Sequence, residues 1–413
     1  MKCKTHHNPS PGFRPIPLPL HKHLHIMRHL LYILLPGIFL FTQCSQAPLS
    51  GSVEMDPDWS PTLYLISPGS FDAIGTSFMG NLVDSATIGI DGHFAFHSIP
   101  ENASPQLYEL AIQKKGERFP TQLEQDDPEA ANYLPLVYAQ GDHLMLSAKA
   151  GNLQQTAEVT NASPANQAML ELRDIRKKAW AEHMNGAVDH TEDALLAKEK
   201  AFSDYRQALM DFAGQTDQLL PALTAIRWAG PTGDYERIPE FIVAQCEKWQ
   251  AIDPGHLLVR QLCAKASREQ LPVLIGDAIP DFQMPMLQGD TMSLHGLLTG
   301  KLNILDLWAS WCIPCRHENR EILVPLWQQY KDKGLQIIGY GLETEDKTWK
   351  NAIDKDQATW VQSSHLQGDE APLFQALRIQ TIPSNFLIDD QGKVIAKNIH
   401  GADLRKFVES YLK

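Results

Sequence analysis

Two cysteines separated by two residues are the part of the sequence best suited to chemistry. They stand in the run Trp311-Cys312-Ile313-Pro314-Cys315, which follows a continuous apolar stretch and opens a helical pattern. A C-x-x-C pair between a strand and a helix is a specific signal of thiol-disulfide chemistry. At a helix N-terminus the unsatisfied N–H groups and the helix dipole favour an anion, so we expect the first thiol to ionise near neutral pH. The sequence therefore predicts Cys312 as a nucleophile.

The second thiol completes the predicted reaction. Cys315 lies one helical turn after Cys312, within bonding distance, and can break a mixed disulfide from inside the protein. Ile313 and Pro314 restrict the loop between the thiols and help to set the relative stability of dithiol and disulfide. With Trp311 they are also expected to border the surface that binds a client protein. No cofactor other than a redox-active Cys312–Cys315 disulfide is expected.

The elements that must position these thiols alternate between strand and helix from about residue 276 onward. Apolar runs predict strands, helical periodicity predicts helices, and their order predicts a central sheet with helices on both faces. The predicted strands are 302–308, 335–340, 385–388 and 393–396, and the predicted helices are 318–330, 348–354, 372–377 and one at the C-terminus.

Three segments of this region resemble a known family. Residues 306–315 (Asp-Leu-Trp-Ala-Ser-Trp-Cys-Ile-Pro-Cys) look like the active-site segment of thioredoxin-fold oxidoreductases, and the match is closer to the TlpA/ResA-like envelope branch. The opening of that branch is similar to residues 276–282 (Gly-Asp-Ala-Ile-Pro-Asp-Phe), and its closing segment to residues 381–389 (Thr-Ile-Pro-Ser-Asn-Phe-Leu-Ile-Asp). The resemblance covers about a third of the chain and implies a thioredoxin fold.

The resemblance also implies roles for four further residues. Pro383 would be the cis-proline that faces the cysteines, and the backbone of Ile382 would pair with an extended client segment. Asp306 would be the buried acid that takes the proton from Cys315. Glu318 matches a glutamate that ResA-like proteins carry near the active site. The plainer readings are that Pro383 only starts a strand, that Asp306 only ends one, and that Glu318 only compensates the helix dipole.

The active-site helix also departs from the family pattern. Arg320 stands where thioredoxins have a proline, and Pro325 follows about one turn later, so the kink of the helix is expected to be displaced. Arg316 and His317 lie beside the thiols and could lower the pKa of Cys312. We expect them instead to be solvated side chains.

The rest of the chain divides by composition into three parts. Residues 44–150 carry short alternating runs separated by turn residues, with a hairpin signal at Asp91-Gly92, which predicts a β-rich domain. Residues 151–272 carry helical patterns that predict an α-helical linker domain. Ser163 is expected to cap a helix in it. We therefore expect a multidomain protein with an N-terminal β-sandwich, a middle α-helical domain and, over 273–413, a C-terminal α/β domain of the thioredoxin fold.

Two cysteines of the helical part leave their pairing open. Asp253-Pro254 is expected to be the N-cap and first position of a helix, which places Cys246 and Cys263 on successive helices. They can pair in an oxidising compartment or stay as two buried thiols.

The first residues predict export. The apolar run at 30–41 is twelve residues long, whereas a membrane span needs about 20, so residues 1–43 are expected to be a signal leader. Met27, just upstream of the run, is an alternative start. The segment around Cys44 resembles a bacterial lipoprotein signal, in which this cysteine is lipidated and anchors the protein to a membrane. Ordinary cleavage after Ala47 is the competing reading.

The net charge limits the classes of molecule that we expect to bind. The formal net charge of −13 repels phosphate backbones, so no nucleic acid is expected to bind. We expect protein clients that carry thiols or disulfides, and a membrane or periplasmic electron donor, in the bacterial periplasm or cell envelope. The resemblance to the TlpA/ResA-like branch favours a reductase, and the sequence leaves an oxidase or an isomerase open.

Three other functions are weighed against this reading. In thiol peroxidases the reactive cysteine follows a Pro-x-x-x-Thr/Ser-x-x-Cys pattern, but Leu305 and Ala309 occupy those positions here. Cys312, Cys315 and His317 could capture a metal ion, although a structural zinc site needs four ligands. The N-terminal domains could also form an envelope binding protein that uses the redox domain locally.

Overall fold

The first part of the chain folds into two four-stranded sheets. The computed structural model describes residues 47–117, 127–184, 192–379 and 381–413, so the predicted leader at 1–43 and the lipidation site Cys44 lie outside the described residues. One sheet has the order β4-β1-β7-β8 and the other the order β3-β2-β5-β6. A single buried cluster takes side chains from both sheets. The strands are β1 (Leu49–Glu54), β2 (Trp59–Ser67), β3 (Asn81–Thr87), β4 (His93–Phe96), β5 (Gln106–Lys114), β6 (Tyr133–Tyr138), β7 (Leu144–Lys149) and β8 (Glu158–Thr160).

The turn at Asp91-Gly92 joins these two sheets. The N–H of Gly92 donates to the carbonyl of Gly89 over 2.9 Å, and Gly92 has a φ of 81°, which a residue without Cβ adopts at little cost. However, β3 pairs with β2, whereas β4 pairs with β1. The predicted hairpin between neighbouring strands is therefore wrong, and the turn is a crossing between sheets.

A helical segment follows and packs on the second sheet. Ser163 caps α2 as predicted, since its hydroxyl accepts from the N–H of Asn166 over 3.3 Å. Apolar side chains of the helices and of β5 and β6 share one buried cluster, and inside it Trp228 donates to the Tyr133 hydroxyl over 2.8 Å. Within the described ranges, the model contains no helix with the length and apolar character to cross a membrane. The helices are α1 (Leu153–Thr156), α2 (Pro164–His183), α3 (Glu192–Gln215), α4 (Leu219–Ala229), α5 (Pro239–Ile252) and α6 (Leu257–Lys265).

Helices α5 and α6 are joined by a disulfide. Cys246 and Cys263 are bonded, with their Cα atoms 4.9 Å apart, which settles the pairing that the sequence left open. The predicted cap at Asp253 is wrong. His256 is the N-cap of α6, and its Nδ1 accepts from the N–H of Leu258 over 3.3 Å. Asp253 instead closes the turn by accepting from the N–H of His256 over 3.1 Å.

The C-terminal part forms a five-stranded mixed sheet with the order β13-β12-β11-β14-β15. Strands β12 and β13 run parallel to β11, and β14 runs antiparallel to it. All seven residues of β11 are buried, as expected for the central strand of a sheet with both faces covered. The predicted α/β architecture is confirmed. The five strands of this sheet are β11 (Leu302–Trp308), β12 (Leu335–Gly341), β13 (Val361–Ser363), β14 (Ser384–Asp389) and β15 (Val394–Lys397). Two shorter strands, β9 (Gln283–Pro285) and β10 (Thr291–Ser293), form a separate two-stranded sheet.

Six α-helices of the described part of this domain accompany the sheet. They are α7 (Leu294–Leu297), α8 (Ile313–Glu318), α9 (Val324–Tyr330), α10 (Asp346–Asp356), α11 (Pro372–Leu377) and α12 (Gly401–Tyr411). Four residues, 309–312, connect β11 to α8; Cys312 is the last of them, and Cys315 lies in the first turn of the helix.

The helical segment contacts the C-terminal domain at two places. Glu240 of α5 accepts from the N–H of Ile275 and lies 2.8 Å from the ammonium group of Lys397 on β15. The same ammonium group donates to the carbonyl of Val273 over 2.9 Å. Helix α3 packs against α8. The C-x-x-C helix is therefore supported by the helical segment as well as by its own sheet.

Candidate active site

Cys312 and Cys315 form a disulfide at the start of α8. Cys312 is the N-cap residue of this helix, and its sulfur accepts from the N–H of Cys315 over 3.2 Å. The two Cα atoms are 5.3 Å apart. A backbone donor aimed at the first sulfur is the contact that stabilises a thiolate there once the disulfide is reduced.

The disulfide lies at the surface but is itself nearly covered. Cys312 is 5% exposed and Cys315 2% exposed, whereas the flanking Trp311 and Ile313 are 63% and 50% exposed. The accessible part of the site is therefore a rim of exposed apolar side chains around the first sulfur. Apolar surface of this kind is suited to contact with another protein chain.

The segment before β14 lies at the same edge of the sheet. Ser384 at the start of β14 pairs with Leu307 near the end of β11, so the residues that precede Ser384 lie next to the residues that follow Leu307. The Ile382–Pro383 peptide bond is cis. Ile382 and Pro383 are partly buried. The structure thus brings the predicted client-binding residues of both segments to one edge.

Asp306 lies beneath this edge, on the buried central strand. It is 3% exposed, and burial raises its pKa from 3.8 to about 8, with a further increase from the negative charge of Glu318 and a decrease from His400. A carboxyl group with this pKa can bind and release a proton near neutral pH.

Glu318 is buried as well, at the last position of α8. One carboxylate oxygen lies 2.8 Å from Nδ1 of His400, and the other accepts from the N–H of Gly401 over 3.0 Å. Glu318 therefore connects α8 to the start of α12, close enough to Asp306 to act on its pKa. Sequence reasoning missed His400, because nothing in its local pattern indicates a partner 82 residues earlier in the chain.

The active-site helix changes geometry after Glu318. A π-helical turn covers Asn319–Leu323 before α9 begins. Pro325 has no N–H to donate to the carbonyl of Glu321, and Arg405 of α12 donates to that carbonyl over 2.8 Å instead. The displaced irregularity expected at Pro325 thus lies just before that residue.

Arg316 is not a solvated side chain, so that expectation is wrong. Its guanidinium forms a two-point ion pair with Asp356 of α10, through Nε and Oδ2 and through Nη2 and Oδ1, the second at 2.6 Å. Asp356 is buried and also lies 3.2 Å from Arg320. Sequence reasoning missed Asp356 because it is 40 residues from Arg316 in the chain.

No metal centre is seen in the part of the chain that the structure describes, where no group of three or more His, Cys, Asp or Glu side chains could hold a metal ion.

Comparisons with known proteins point to the same chemistry. Residues 275–397 match the AhpC/TSA family. The thiol-disulfide oxidoreductase ResA of Bacillus thuringiensis subsp. konkukian is 30% identical over 139 residues, which cover 34% of this chain and 77% of that protein. ResA of Oceanobacillus iheyensis is 30% identical over 142 residues, which cover 33% and 71%. Among solved structures, the thioredoxin domain of a thiol-disulfide oxidoreductase from Bacteroides vulgatus is 30% identical and covers 34% of this chain and 99% of that one, with a TM-score of 0.32. With 30% identity over most of the length of ResA, the chain belongs to the ResA-like thiol-disulfide oxidoreductases and is an enzyme of that class.

Proposed function

We propose that this enzyme is exported and reduces disulfides of client proteins in the cell envelope, with Cys312 as nucleophile and Cys315 as resolving thiol. The observation that carries the proposal is the Cys312–Cys315 disulfide at a helix start, where the first sulfur accepts the backbone N–H of Cys315 over 3.2 Å. A thiolate at that position is stabilised before any client arrives.

The first step is attack on the client. The thiolate of reduced Cys312 attacks one sulfur of a client disulfide. A bond forms between Cys312 and the client, the client disulfide breaks, and its other sulfur leaves as a thiolate that takes a proton from water. The product is a mixed disulfide in which the client is half reduced.

The second step releases the client. The ionised fraction of Asp306, which is the minor form at pH 7 because the pKa is raised to about 8, accepts the proton of Cys315, and the sulfur of Cys315 attacks Cys312. The Cys312–Cys315 bond forms, the mixed disulfide breaks, and the second client sulfur leaves as a thiolate. Two electrons pass from the enzyme to the client. Asp306 then returns its proton to solvent.

The client-binding surface is assigned to the rim of the site. Trp311 and Ile313 are its exposed apolar residues, and Pro314 lies between the two cysteines. Ile382 and Pro383 come to the same edge of the sheet, where the backbone of Ile382 can pair with an extended client segment as an added strand.

No cofactor beyond the disulfide is needed for this cycle, but a reductant is. The oxidised pair must receive two electrons from a donor dithiol, which we assign to a membrane or periplasmic protein. The direction of the reaction as a reductase is part of the proposal. It predicts that the Cys312–Cys315 disulfide is stable relative to glutathione disulfide.

Export and anchoring rest on two observations. Residues 30–41 form an apolar run of signal-peptide length that ends shortly before Cys44, the proposed lipid attachment site. The Cys246–Cys263 disulfide lies outside the active site, and structural disulfides persist mainly in oxidising compartments such as the periplasm. We therefore place the enzyme in the bacterial periplasm, held to a membrane by lipid.

The three-part organisation is also a proposal. We treat the two sheets, which share one core, as a β-sandwich that ends near residue 150, and the helices up to residue 272 as a linker domain. These helices share a second core with β5 and β6. This shared core supports a joint scaffolding role for the two parts.

Trapping the mixed disulfide tests the proposed function. In the Cys315→Ser variant the second step is blocked, so a client should stay attached to Cys312 and be released by dithiothreitol. The Cys312→Ser variant is the matched control and should trap nothing. If Cys315→Ser captures no envelope protein and its Cys312 is inert toward a model disulfide, the proposal is wrong.

Thiol peroxidase activity is the alternative with a specific observation in its favour, the AhpC/TSA match over residues 275–397. Leu305 and Ala309 stand where peroxidases have proline and a hydroxyl residue. Both are fully buried apolar positions that offer no hydroxyl group to a peroxide. Peroxide consumption much faster than by free cysteine would favour this alternative over client reduction.

A further inference from the structure

The backbone and the hydroxyl group of Ser310, two residues before Cys312, are held by the side chains of Glu343 and Arg316. Its N–H and its hydroxyl both donate to the carboxylate of Glu343, the latter over 2.8 Å. Its carbonyl accepts from Nη1 of Arg316 over 3.1 Å. Every polar group of Ser310 is thus engaged, which fixes the loop that leads into the reactive cysteine.

Arg316 can make this contact because Asp356 holds it in place. The two-point ion pair fixes the plane of the guanidinium group. Nη1 of the guanidinium group donates to the carbonyl of Ser310, and Nη2 also donates to the carbonyl of Ala352, the latter over 3.5 Å. Since Asp356 is the last residue of α10, Arg316 ties this helix to the active-site helix, and Arg320 of the π-helical turn, 3.2 Å from Asp356, adds a second link.

The guanidinium group of Arg316 contacts the carbonyl of Ser310, two residues before the thiol that must ionise. An arginine beside a cysteine lowers the pKa of the thiol because it stabilises the thiolate. Here the positive charge of Arg316 is compensated by the buried carboxylate of Asp356. The thiolate of Cys312 therefore benefits less from Arg316 than it would from an unpaired arginine at the same place.

The direction of this effect matches a reductase. A strongly stabilised thiolate favours the dithiol form and makes a disulfide oxidising, whereas a less stabilised one leaves the dithiol able to give up electrons. Other titratable side chains on the elements around the loop include Asp306 of β11, Tyr340 of β12, Glu343 after β12, and, on α8 and the π-helical turn, His317, Glu318, Arg320 and Glu321.

We propose that Arg316 is a positioning residue for the Ser310–Cys312 loop and that Asp356 masks its charge, so that the pair sets the acidity of Cys312 and keeps the enzyme reducing. The proposal rests on the proposed function, because it assigns a tuning element to the same reactive thiol. Neither residue contacts a reacting atom.

Single and double charge variants test the pair. Asp356→Asn removes the carboxylate that pairs with both Arg316 and Arg320, so the titration midpoint of the Cys312 thiolate should fall by about one pH unit. The equilibrium constant with glutathione should then change up to about tenfold, or about 30 mV, toward a more oxidising disulfide. Arg316→Gln should move both quantities the opposite way. The midpoint is read from thiolate absorbance and from the pH dependence of alkylation.

A matched control separates tuning from stability. Arg206, which is buried, and Asp234, which is partly buried, form another ion pair, 2.6 Å apart, in the helical segment. Asp234→Asn should lower the free energy of unfolding without moving the Cys312 midpoint. If Asp356→Asn does not fold, the Arg316→Gln/Asp356→Asn double variant replaces it, and its midpoint should lie below that of Arg316→Gln alone.

Opposite shifts in the two single variants support the proposal. Midpoints equal to that of the wild type, or shifts of the same sign in both, overturn it and leave the pair a structural link between α8 and α10. These results differ from a failure of the proposed function, in which the wild-type Cys312 itself would not react with a disulfide.

Discussion

Replacing Asp306 by asparagine should make the protein more stable at neutral pH, although it changes a buried residue of the active site. Burial raises the pKa of Asp306 from 3.8 to about 8. The unfolded chain therefore loses this proton near pH 4, while the folded protein keeps it until about pH 8. The contribution of Asp306 to wild-type stability is highest below pH 4 and falls as the pH rises, because only the unfolded state gains from ionisation.

The size of the effect follows from the difference between the pKa of Asp306 in the unfolded chain and its pKa in the folded protein. From pH 3.8 to pH 7 the wild type loses about 1.36 kcal/mol per pH unit, which gives up to about 4 kcal/mol for the shift of Asp306. The asparagine side chain of the variant does not titrate, so the variant escapes this loss. Other groups occur in both proteins and cancel in the difference, apart from Glu318 and His400, which interact with Asp306.

Urea unfolding of both oxidised proteins between pH 4 and pH 9 measures this difference directly. The stability of Asp306→Asn relative to the wild type should increase steadily up to about pH 8 and then level off. A difference that does not depend on pH would show that Asp306 ionises normally in the folded protein. The reasoning about its role as proton acceptor for Cys315 would then be refuted.

Three further predictions concern the surroundings of the site. Glu318→Gln removes a negative charge that raises the pKa of Asp306, so the pH midpoint of client release should move to lower pH. An unchanged midpoint would show that the charge of Glu318 does not act on Asp306. The Cys246→Ser/Cys263→Ser variant opens a disulfide of sequence separation 17 and should lose about 3 kcal/mol in urea unfolding with client reduction retained. Loss of reduction in the folded variant would contradict a structural role. Arg405→Met removes the donor to the Glu321 carbonyl at the π-helical turn and should lower the free energy of unfolding by about 1 kcal/mol. An unchanged thermal unfolding midpoint would show that this hydrogen bond does not stabilise the fold.

The parts of the fold that the sequence predicted have strong local signals. Strand β11 was predicted with its observed bounds because a run of buried residues ends abruptly at the C-x-x-C turn. Helix α11 has a proline in its first turn, and proline at that position is a local signal of a helix start. The two thiols and the edge formed with Pro383 follow from the order of these elements.

What the sequence missed depends on contacts between distant residues. Strand β13 is short and carries the polar residues Gln362 and Ser363, which are buried only because β12 and the β9 region cover them. The partner of Arg316 is on another helix. The cap of α6 is a histidine side chain, which is not among the residues that usually cap helices.

The acidity of Cys312 in the reduced protein is the most direct test of the account. Its thiolate fraction is measured against pH by the rate of alkylation, with the modified cysteine identified by mass spectrometry. We expect half-ionisation well below that of a free cysteine thiol, at about pH 8.5, and slower alkylation of Cys315 at every pH. A Cys312 thiol that ionises like free cysteine, or a Cys315 that reacts first, would contradict the account.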